Sequence, residues 1–132
     1  FKICFWEKAI YINIKNKIES KSLGKAIPDG ILFNLADIDN PEFYLVEIEL
    51  FKHDFYNHIF PQITKFFAFF NNPKSQGELI ERIFSIINID NELREEFKKY
   101  IGRKEIFKFI KDTIENSQNI LLIIDDNRAS RN

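Results

Sequence analysis

The stretch AIPDGILFNLADIDNPEFYLVEIELFKHD, residues 26–54, decides the fold. Two apolar runs, ILFNLADI and FYLVEIELF, flank the turn-forming sequence DIDNPE, which has Asn40 and Pro41 at its centre. Two strand-like runs joined by a short turn predict an antiparallel β-hairpin. The second run is almost wholly apolar, yet it contains Glu47 and Glu49. A buried carboxylate costs free energy unless a partner compensates it, so these two glutamates need an explanation.

Alternation places both glutamates on one face of the second strand. Successive side chains point to opposite faces, so Glu47 and Glu49 lie on the order of 7 Å apart on the same side. Asp29 stands at the start of the first strand, which in an antiparallel hairpin lies beside the end of the second. We therefore expect Asp29, Glu47 and Glu49 to converge at one edge of the sheet. A solvated glutamate face is the alternative, and Phe43 and Leu45, which share that face, argue against it.

Carboxylates held this close together need a counter-charge, which is either a shared proton or a cation. Mg²⁺, or Mn²⁺ in its place, suits such a group, because it takes oxygen ligands and keeps several of its waters. A metal ion at such a site can orient a water molecule and neutralise a phosphate during transfer. The carboxylate set therefore predicts a divalent-metal site.

The segment HDFYNHIFPQITKFFAFFN, which follows the hairpin, has a helical pattern. Its polar positions share one face of a continuous helix: Asp54, His58, Gln62 and Lys65. Pro61 either kinks this helix or opens its second part. The polar face predicts further groups for the site. An N-cap at Asp54, a structural histidine at His58 and a solvated Lys65 are the alternatives.

The chain before and after this region predicts further helices. Residues 5–18, FWEKAIYINIKNKI, place large apolar residues four apart, which favours a helix, while IYINI also alternates like a strand. The capping-box spacing of SQGE, residues 75–78, predicts the start of a helix. Asp90 is expected to cap the next helix, and Gly102 is expected to end it.

The C-terminal part predicts one more helix and a final strand. Ile106, Ile110 and Ile114 mark the buried face of the helix. The run NILLIID, residues 119–125, predicts a strand covered on both faces. The order of helix, hairpin, several helices and strand indicates an α/β or α+β domain with a small mixed sheet flanked by helices. The length of 132 residues suits a single domain.

Composition limits the classes of function. The formal net charge is −1, so no overall basic field points to nucleic acid, although a local basic site or a bound metal ion can supply positive charge. The single cysteine, Cys4, excludes an internal disulfide and a cysteine-rich zinc site, and a reducing cytoplasm is the expected compartment. No apolar run has the length of a membrane span, and no membrane association is expected.

A known signature combines these features. Pro28 and Asp29 stand at a strand start, Glu47 and Glu49 follow about eighteen residues later in the next strand, and Gln62 lies in the helix after it. This pattern resembles the PD-(D/E)XK nuclease superfamily, the restriction-endonuclease-like proteins. Its specificity comes from the order of strand, turn, strand and helix.

The resemblance extends along the string FYLVEIELFKHDFYNHIFPQITKF. That string is similar to an uncharacterised prokaryotic branch of the superfamily, with the pattern E-x-E-L, H-D, H-I and Q-x-x-K-F. It implies a restriction-endonuclease-like core over about residues 5–70, with peripheral helices and a strand over residues 75–125. A single nuclease-like domain over residues 1–132 is the resulting expectation.

The resemblance also implies a set of ligands. Asp29 and Glu47 would bind the divalent metal, with Glu49 as the third carboxylate. The family usually places a lysine two residues after the first glutamate, where it steadies the attacking water, and this sequence has Glu49 there. In some members that position is also glutamate, and in others the lysine has moved to the following helix.

Lys65 is the first choice for a moved lysine, because it shares a helix face with Gln62. Lys52 and Lys25 are the alternatives. Gln62 would orient the site through hydrogen bonds.

Two accessory residues complete the expected site. His58 would contact the phosphate or the metal shell. Glu7, on the predicted first helix, matches a helix glutamate that often joins the metal site in this superfamily.

The expected function is that of a Mg²⁺-dependent endonuclease that hydrolyses phosphodiester bonds in DNA, in defence or repair. A homodimer is a further expectation, because cutting two strands needs two sites. The alternative is a catalytically degenerate module of the same fold, which binds nucleic acid or protein without cleavage. A plain structural α/β module with exposed glutamates is the second alternative.

Overall fold

The computed structural model describes residues 7–15, 27–50, 57 and 59–125. The elements within these ranges are, in chain order, β1 (Ala9–Asn13), β2 (Gly30–Asn34), β3 (Glu42–Leu50), α1 (Phe60–Phe70), α2 (Pro73–Ile89), α3 (Asn91–Ile101), α4 (Ile106–Asn116) and β4 (Asn119–Asp125). The described chain is thus a mixed α/β structure with a four-stranded sheet and four helices. This confirms the predicted small mixed sheet with flanking helices.

The strands lie in the order β1-β2-β3-β4. The first three form an antiparallel meander, and β4 runs parallel to β3. The β2–β3 pair is the predicted hairpin, with Gly30 opposite Val46 and Phe33 opposite Phe43. A parallel neighbour requires a crossover connection, and α1 to α4 supply it between β3 and β4.

The core lies between one face of the sheet and the helices. Ile31 of β2 pairs with Leu45 of β3, Phe33 pairs with Phe43, and all four side chains are fully buried. The ring of Phe97, on α3, packs edge-on against Phe33 with 5.2 Å between the ring centroids. Alternation along each strand therefore decides which side chains face the helices.

The sequence favoured a helix over residues 5–18, and this prediction is wrong for residues 9–13, which form the strand β1. Ile10, Ile12 and Ile14 are buried while Tyr11 between them points to the other face, so the period is two residues. β-Branched side chains fit a pleated strand better than a helix. The four-residue spacing of Ile10 and Ile14 is a multiple of two and is compatible with both structures, which made the helix the wrong choice.

Proline opens both α1 and α2. Pro61 lies in the first turn of α1, which fits the second of the two alternatives for this residue. The predicted start of α2 in the segment 75–78 is wrong, because the helix begins at Pro73. The Asn72 side chain is the N-cap and accepts hydrogen bonds from the backbone N–H of Lys74 at 3.0 Å and of Ser75 at 3.3 Å.

The two ends of α3 are as predicted, whereas the predicted burial of β4 on both faces is wrong. The Asp90 side chain accepts a hydrogen bond from the N–H of Leu93 at 3.1 Å, and Gly102, with φ of 67°, ends α3. β4 is a strand, but it is an edge of the described sheet and Ile124 is 53% exposed, so it is not covered on both faces. Over the described ranges, no helix combines the length and apolar character that a membrane span needs.

Candidate functional site

The helix-facing side of the sheet changes from apolar to acidic at one end. Beyond the paired Ile31 and Leu45, the next positions on the same face are Asp29 and Glu47, because Gly30 pairs with Val46. The hairpin therefore brings these two carboxylates together, as the alternation predicts.

Glu47 is held inside the molecule. Its side chain is 3% exposed, although it lies on a strand between apolar neighbours. Gln62, in the first turns of α1, donates a hydrogen bond from Nε2 to Glu47 Oε2 at 3.0 Å. The same amide reaches the backbone oxygen of Ile27 at 3.5 Å. Gln62 thus joins α1 to the acidic end of the sheet, and it lies where the resemblance implies an orienting group.

Asp29 is fixed by contacts on both sides. Its Oδ2 accepts a hydrogen bond from the backbone N–H of Ile48 at 2.7 Å, and its Oδ1 lies 2.9 Å from Lys15 Nζ. The N–H of Ile14 donates to the backbone oxygen of Asp29 at 3.3 Å. The side chain of Asp29 is 17% exposed and that of Lys15 is 60% exposed. Asp29 is therefore the more accessible of the two paired carboxylates.

The surroundings favour the neutral form of Glu47. Burial raises the pKa of Glu47 most strongly, and the charge of Asp29 and a hydrogen bond between the two carboxyl groups raise it further, to about 8. The positive charge of Lys15 acts in the opposite direction. At neutral pH, in the absence of another cation, the pair thus holds a proton on Glu47. A shared proton is one of the two counter-charges that the sequence predicts.

Tyr11 borders the pair from the other face of the sheet. Its ring lies over Gly30, where a Cβ atom would overlap the phenol oxygen and Cζ. Burial raises the pKa of Tyr11, and the negative charges of Asp29 and Glu47 raise it further. The missing side chain at Gly30 therefore allows a phenol to sit close to the acidic pair.

Glu49 is also buried, at 8% exposure, so the alternative of solvent-facing glutamates is wrong. Among the residues that the structure describes, however, no group of three or more His, Cys, Asp and Glu side chains is placed to hold a metal ion. The predicted convergence of three carboxylates is therefore reduced to a pair, Asp29 and Glu47.

The cation at the pair is not the one chosen from the sequence. Lys65 is exposed on α1, and in the described part of the chain it makes no hydrogen bond or ion pair with the carboxylates. Lys15 occupies that position instead. It follows β1 directly, and a meander brings the end of β1 beside the start of β2. The strand-like alternation of IYINI was the signal that could have placed Lys15 there.

Of the remaining predicted site residues, the structure describes Glu7 alone. Glu7 is exposed in a turn before β1, at the opposite end of the sheet from Asp29, so its predicted position on a helix beside the metal is wrong. His58, Lys52 and Lys25 lie outside the described residues.

A cavity of about 1050 Å³ opens at the opposite end of the sheet, between the β2–β3 turn and α4. Among the charged side chains of its lining, the acidic ones, which include Asp37, Glu42 and Asp112, outnumber the two lysines. Lys108, one of the lysines there, is paired with Asp112 at 2.6 Å. Glu105 in this lining caps α4 and Asp112 pairs with Lys108, so these two carboxylates have structural partners.

Comparison of the chain with protein-family models, with curated proteins and with solved structures finds no match.

Proposed function

We propose that this chain is a Mg²⁺- or Mn²⁺-dependent phosphodiester hydrolase that acts on DNA, with a restriction-endonuclease-like core. The observation that carries the proposal is the pairing of Asp29 and Glu47 at the covered end of the sheet. Two carboxyl groups in a largely buried position need positive charge beside them, which a proton on Glu47 and the Lys15 ammonium supply in the metal-free protein. A divalent cation can take the place of that proton.

The order of the elements supports the proposed core. Asp29 precedes β2, Glu47 lies in β3, and Gln62 lies in the helix that follows, which is the order that the nuclease signature requires. The contact between Gln62 and Glu47 adds a spatial relation to that order.

The donor set fits a hard cation. Asp29 and Glu47 offer carboxylate oxygens, and the described contacts of the pair include no histidine or cysteine, which a zinc site would use. Mg²⁺ is commonly bound by one or two protein carboxylates together with substrate phosphate, so a third carboxylate is not required. Asp29 and Glu47 would hold the ion, which would polarise the scissile phosphate and activate water.

The protein's own groups then have definite tasks. Gln62 holds the Glu47 carboxyl group in place, and the N–H of Ile48 orients Asp29. Lys15 provides the positive charge that the family usually supplies from the position of Glu49. We infer that the chain works in the cytoplasm, where DNA and free Mg²⁺ are available.

A degenerate module that binds nucleic acid or protein without cleavage is the second candidate. The observation that favours it is Glu49, which stands, buried, where the family usually has a lysine. This candidate shares the fold and differs in chemistry alone. Metal binding without hydrolysis would distinguish it from the first.

The deciding experiment measures Mn²⁺ binding by isothermal titration calorimetry and cleavage of duplex and single-stranded DNA in the presence of Mg²⁺ or Mn²⁺. We expect the wild type to bind the ion and to cleave DNA. Asp29→Asn and Glu47→Gln are each expected to lower the cleavage rate by at least about a hundredfold, since each removes a charged ligand. Glu42→Gln, on the same strand at the far end, is the matched control and should retain full activity.

The outcomes separate the candidates. Mn²⁺ binding that depends on Glu47, without cleavage of any DNA, would support the degenerate module. No Mn²⁺ binding by the wild type would contradict the enzyme proposal. Cleavage by Asp29→Asn at the wild-type rate would contradict the assignment of the site.

A further inference from the structure

Lys15 has a backbone hydrogen bond close to the end of β1 and an exposed side chain with a charged tip. It stands directly after β1, and its backbone N–H lies 3.4 Å from Asn13 Oδ1. Its side chain is 60% exposed, and within the described residues its polar side-chain contact is the ion pair of Nζ with Asp29 Oδ1 at 2.9 Å. A long, flexible stem with one ionic contact at its tip can turn without disturbing the core.

Lys15 contacts Asp29 Oδ1, an oxygen atom that a metal ion at the pair would also use. The hydrogen bond to Asp29 raises the pKa of Lys15, so the ammonium is charged throughout the physiological range. A divalent cation on Asp29 would therefore lie next to an ammonium ion, and the two positive charges would repel each other. A metal ion can bind the pair well only if Lys15 moves away from Asp29.

The charge count indicates where Lys15 goes. Metal binding would release to solvent the proton that Glu47 holds in the metal-free protein, and the divalent cation would then balance the two negative charges of Asp29 and Glu47. This leaves Lys15 without a counter-ion. The group that a metal-loaded nuclease site receives next is a phosphodiester, which carries one negative charge. Lys15 is within one side-chain length of the site, so that phosphate is the nearest replacement for Asp29.

We propose that Lys15 is an exchangeable counter-ion: it pairs with Asp29 in the metal-free protein and turns to the DNA phosphate when a divalent cation occupies the Asp29–Glu47 pair. This inference rests on the proposed function, because it requires metal binding at the pair. It assigns two successive partners to one side chain. It also explains how a site without the usual lysine on β3 can still present a cation to the substrate.

The first test measures Mn²⁺ affinity by isothermal titration calorimetry without DNA. Lys15→Met removes the competing ammonium, and we expect it to bind Mn²⁺ about two- to fivefold more tightly than the wild type, the range that corresponds to an exposed ion pair. Lys15→Arg keeps the competitor and should bind as the wild type does. Lys8→Met, at the other end of β1 and also exposed, is the matched control and should not change the affinity.

The second test measures binding of a fluorescent DNA duplex by anisotropy over a range of salt concentrations, with Ca²⁺ as the divalent cation and without any. With the cation, Lys15→Met should lower the slope of log Kd against log salt by about 0.9, the value for one phosphate contact. Without the cation, Lys15→Met should show the same slope as the wild type, because the Lys15 ammonium of the wild type is then paired with Asp29 and not with the DNA. Lys8→Met should leave both slopes unchanged.

The results distinguish the inference from the proposed function. A wild type that binds no Mn²⁺ contradicts both. A wild type that binds Mn²⁺, with Lys15→Met binding it equally or more weakly, overturns the inference alone. An effect of Lys15→Met on DNA binding that is the same with and without Ca²⁺ also overturns it, because Lys15 would then contact phosphate independently of the metal.

Discussion

Glu47 is a buried side chain of the candidate site that also makes the stability of the fold depend on pH. It is 3% exposed, and its pKa rises to about 8 in the folded protein from an ordinary value of 4.5. Between these two pH values the folded chain binds a proton at Glu47 that the unfolded chain releases. The free energy of unfolding must therefore fall as pH rises through this window.

We predict that this single group contributes a slope approaching about −1.4 kcal/mol per pH unit between pH 5 and pH 8 in the absence of metal. Glu47→Gln removes the titration while keeping a similar shape and a hydrogen-bonding group, so the variant should gain stability relative to the wild type as pH rises. Urea unfolding at pH 5, 6, 7 and 8 in the presence of EDTA measures this difference. Glu42→Gln should keep the wild-type slope, and parallel profiles for the wild type and Glu47→Gln would contradict the prediction.

The burial of Glu47 was predictable from its neighbours, and the partner of Asp29 was not. Phe43 and Leu45 share the face of Glu47, and two buried aromatic and aliphatic neighbours on one strand face imply a covered glutamate. Lys15 could be placed only once β1 was known to be a strand in a meander. One error in the type of an element therefore hid the cation of the site.

At the scale of elements, β1 shows why local pattern was insufficient. Ile10 and Ile14 fit both a helical and a strand period, and the burial of Ile12 decides between them. That burial arises because β1 pairs with β2, which is a tertiary contact that no local window contains. The β2–β3 hairpin was predictable, in contrast, because its turn and both of its strands lie within one short stretch.

The contact between β1 and β2 at Gly30 gives a second prediction. A Cβ atom at Gly30 would overlap the end of the Tyr11 side chain, so Gly30→Ala should displace that ring and destabilise the fold by about 1 kcal/mol. In the Tyr11→Ala background, the same change should be neutral or stabilising by up to about 1 kcal/mol, since glycine loses more backbone entropy on folding than alanine does.

A double-mutant cycle by chemical denaturation measures this change of sign. Gly77→Ala is the control, because nothing lies within 4 Å of a Cβ atom at that position and the glycine is inside α2. It should stabilise the protein by about 1 kcal/mol in either background. An equal effect of Gly30→Ala with and without the Tyr11 ring would contradict the assigned contact.

At the scale of the whole molecule, the two ends of the sheet have different chemical characters. One end carries the Asp29–Glu47 pair with Lys15, and the other opens into the acid-lined cavity beside α4. The order of the elements after the hairpin was largely predictable from periodicity and capping residues. The parallel pairing of β3 with β4 was not, since it depends on how the intervening helices pack against the sheet.

Metal binding at one end predicts a global effect on stability. At a Mn²⁺ concentration of about one hundred times Kd, a single site raises the free energy of unfolding by about 2.7 kcal/mol. We expect the wild-type melting temperature to rise through a Mn²⁺ series and that of Asp29→Asn to stay constant. Asp112→Asn, in the acidic cavity, should respond as the wild type does. Loss of the response in that variant would indicate that the metal binds at the other end of the sheet.

The long separation between β3 and β4 also has a consequence for how the chain folds. The Ser117 hydroxyl just before β4 accepts a hydrogen bond from the N–H of Phe43, across 74 residues of chain. Contacts this distant in sequence form slowly, so we expect β3 to be an open edge of the sheet until β4 pairs with it. Inward-facing charges are a means by which edge strands avoid pairing with another molecule. Glu47 and Glu49, both buried on β3, are charges of this kind, and we expect them to oppose pairing of β3 with another molecule before β4 has formed.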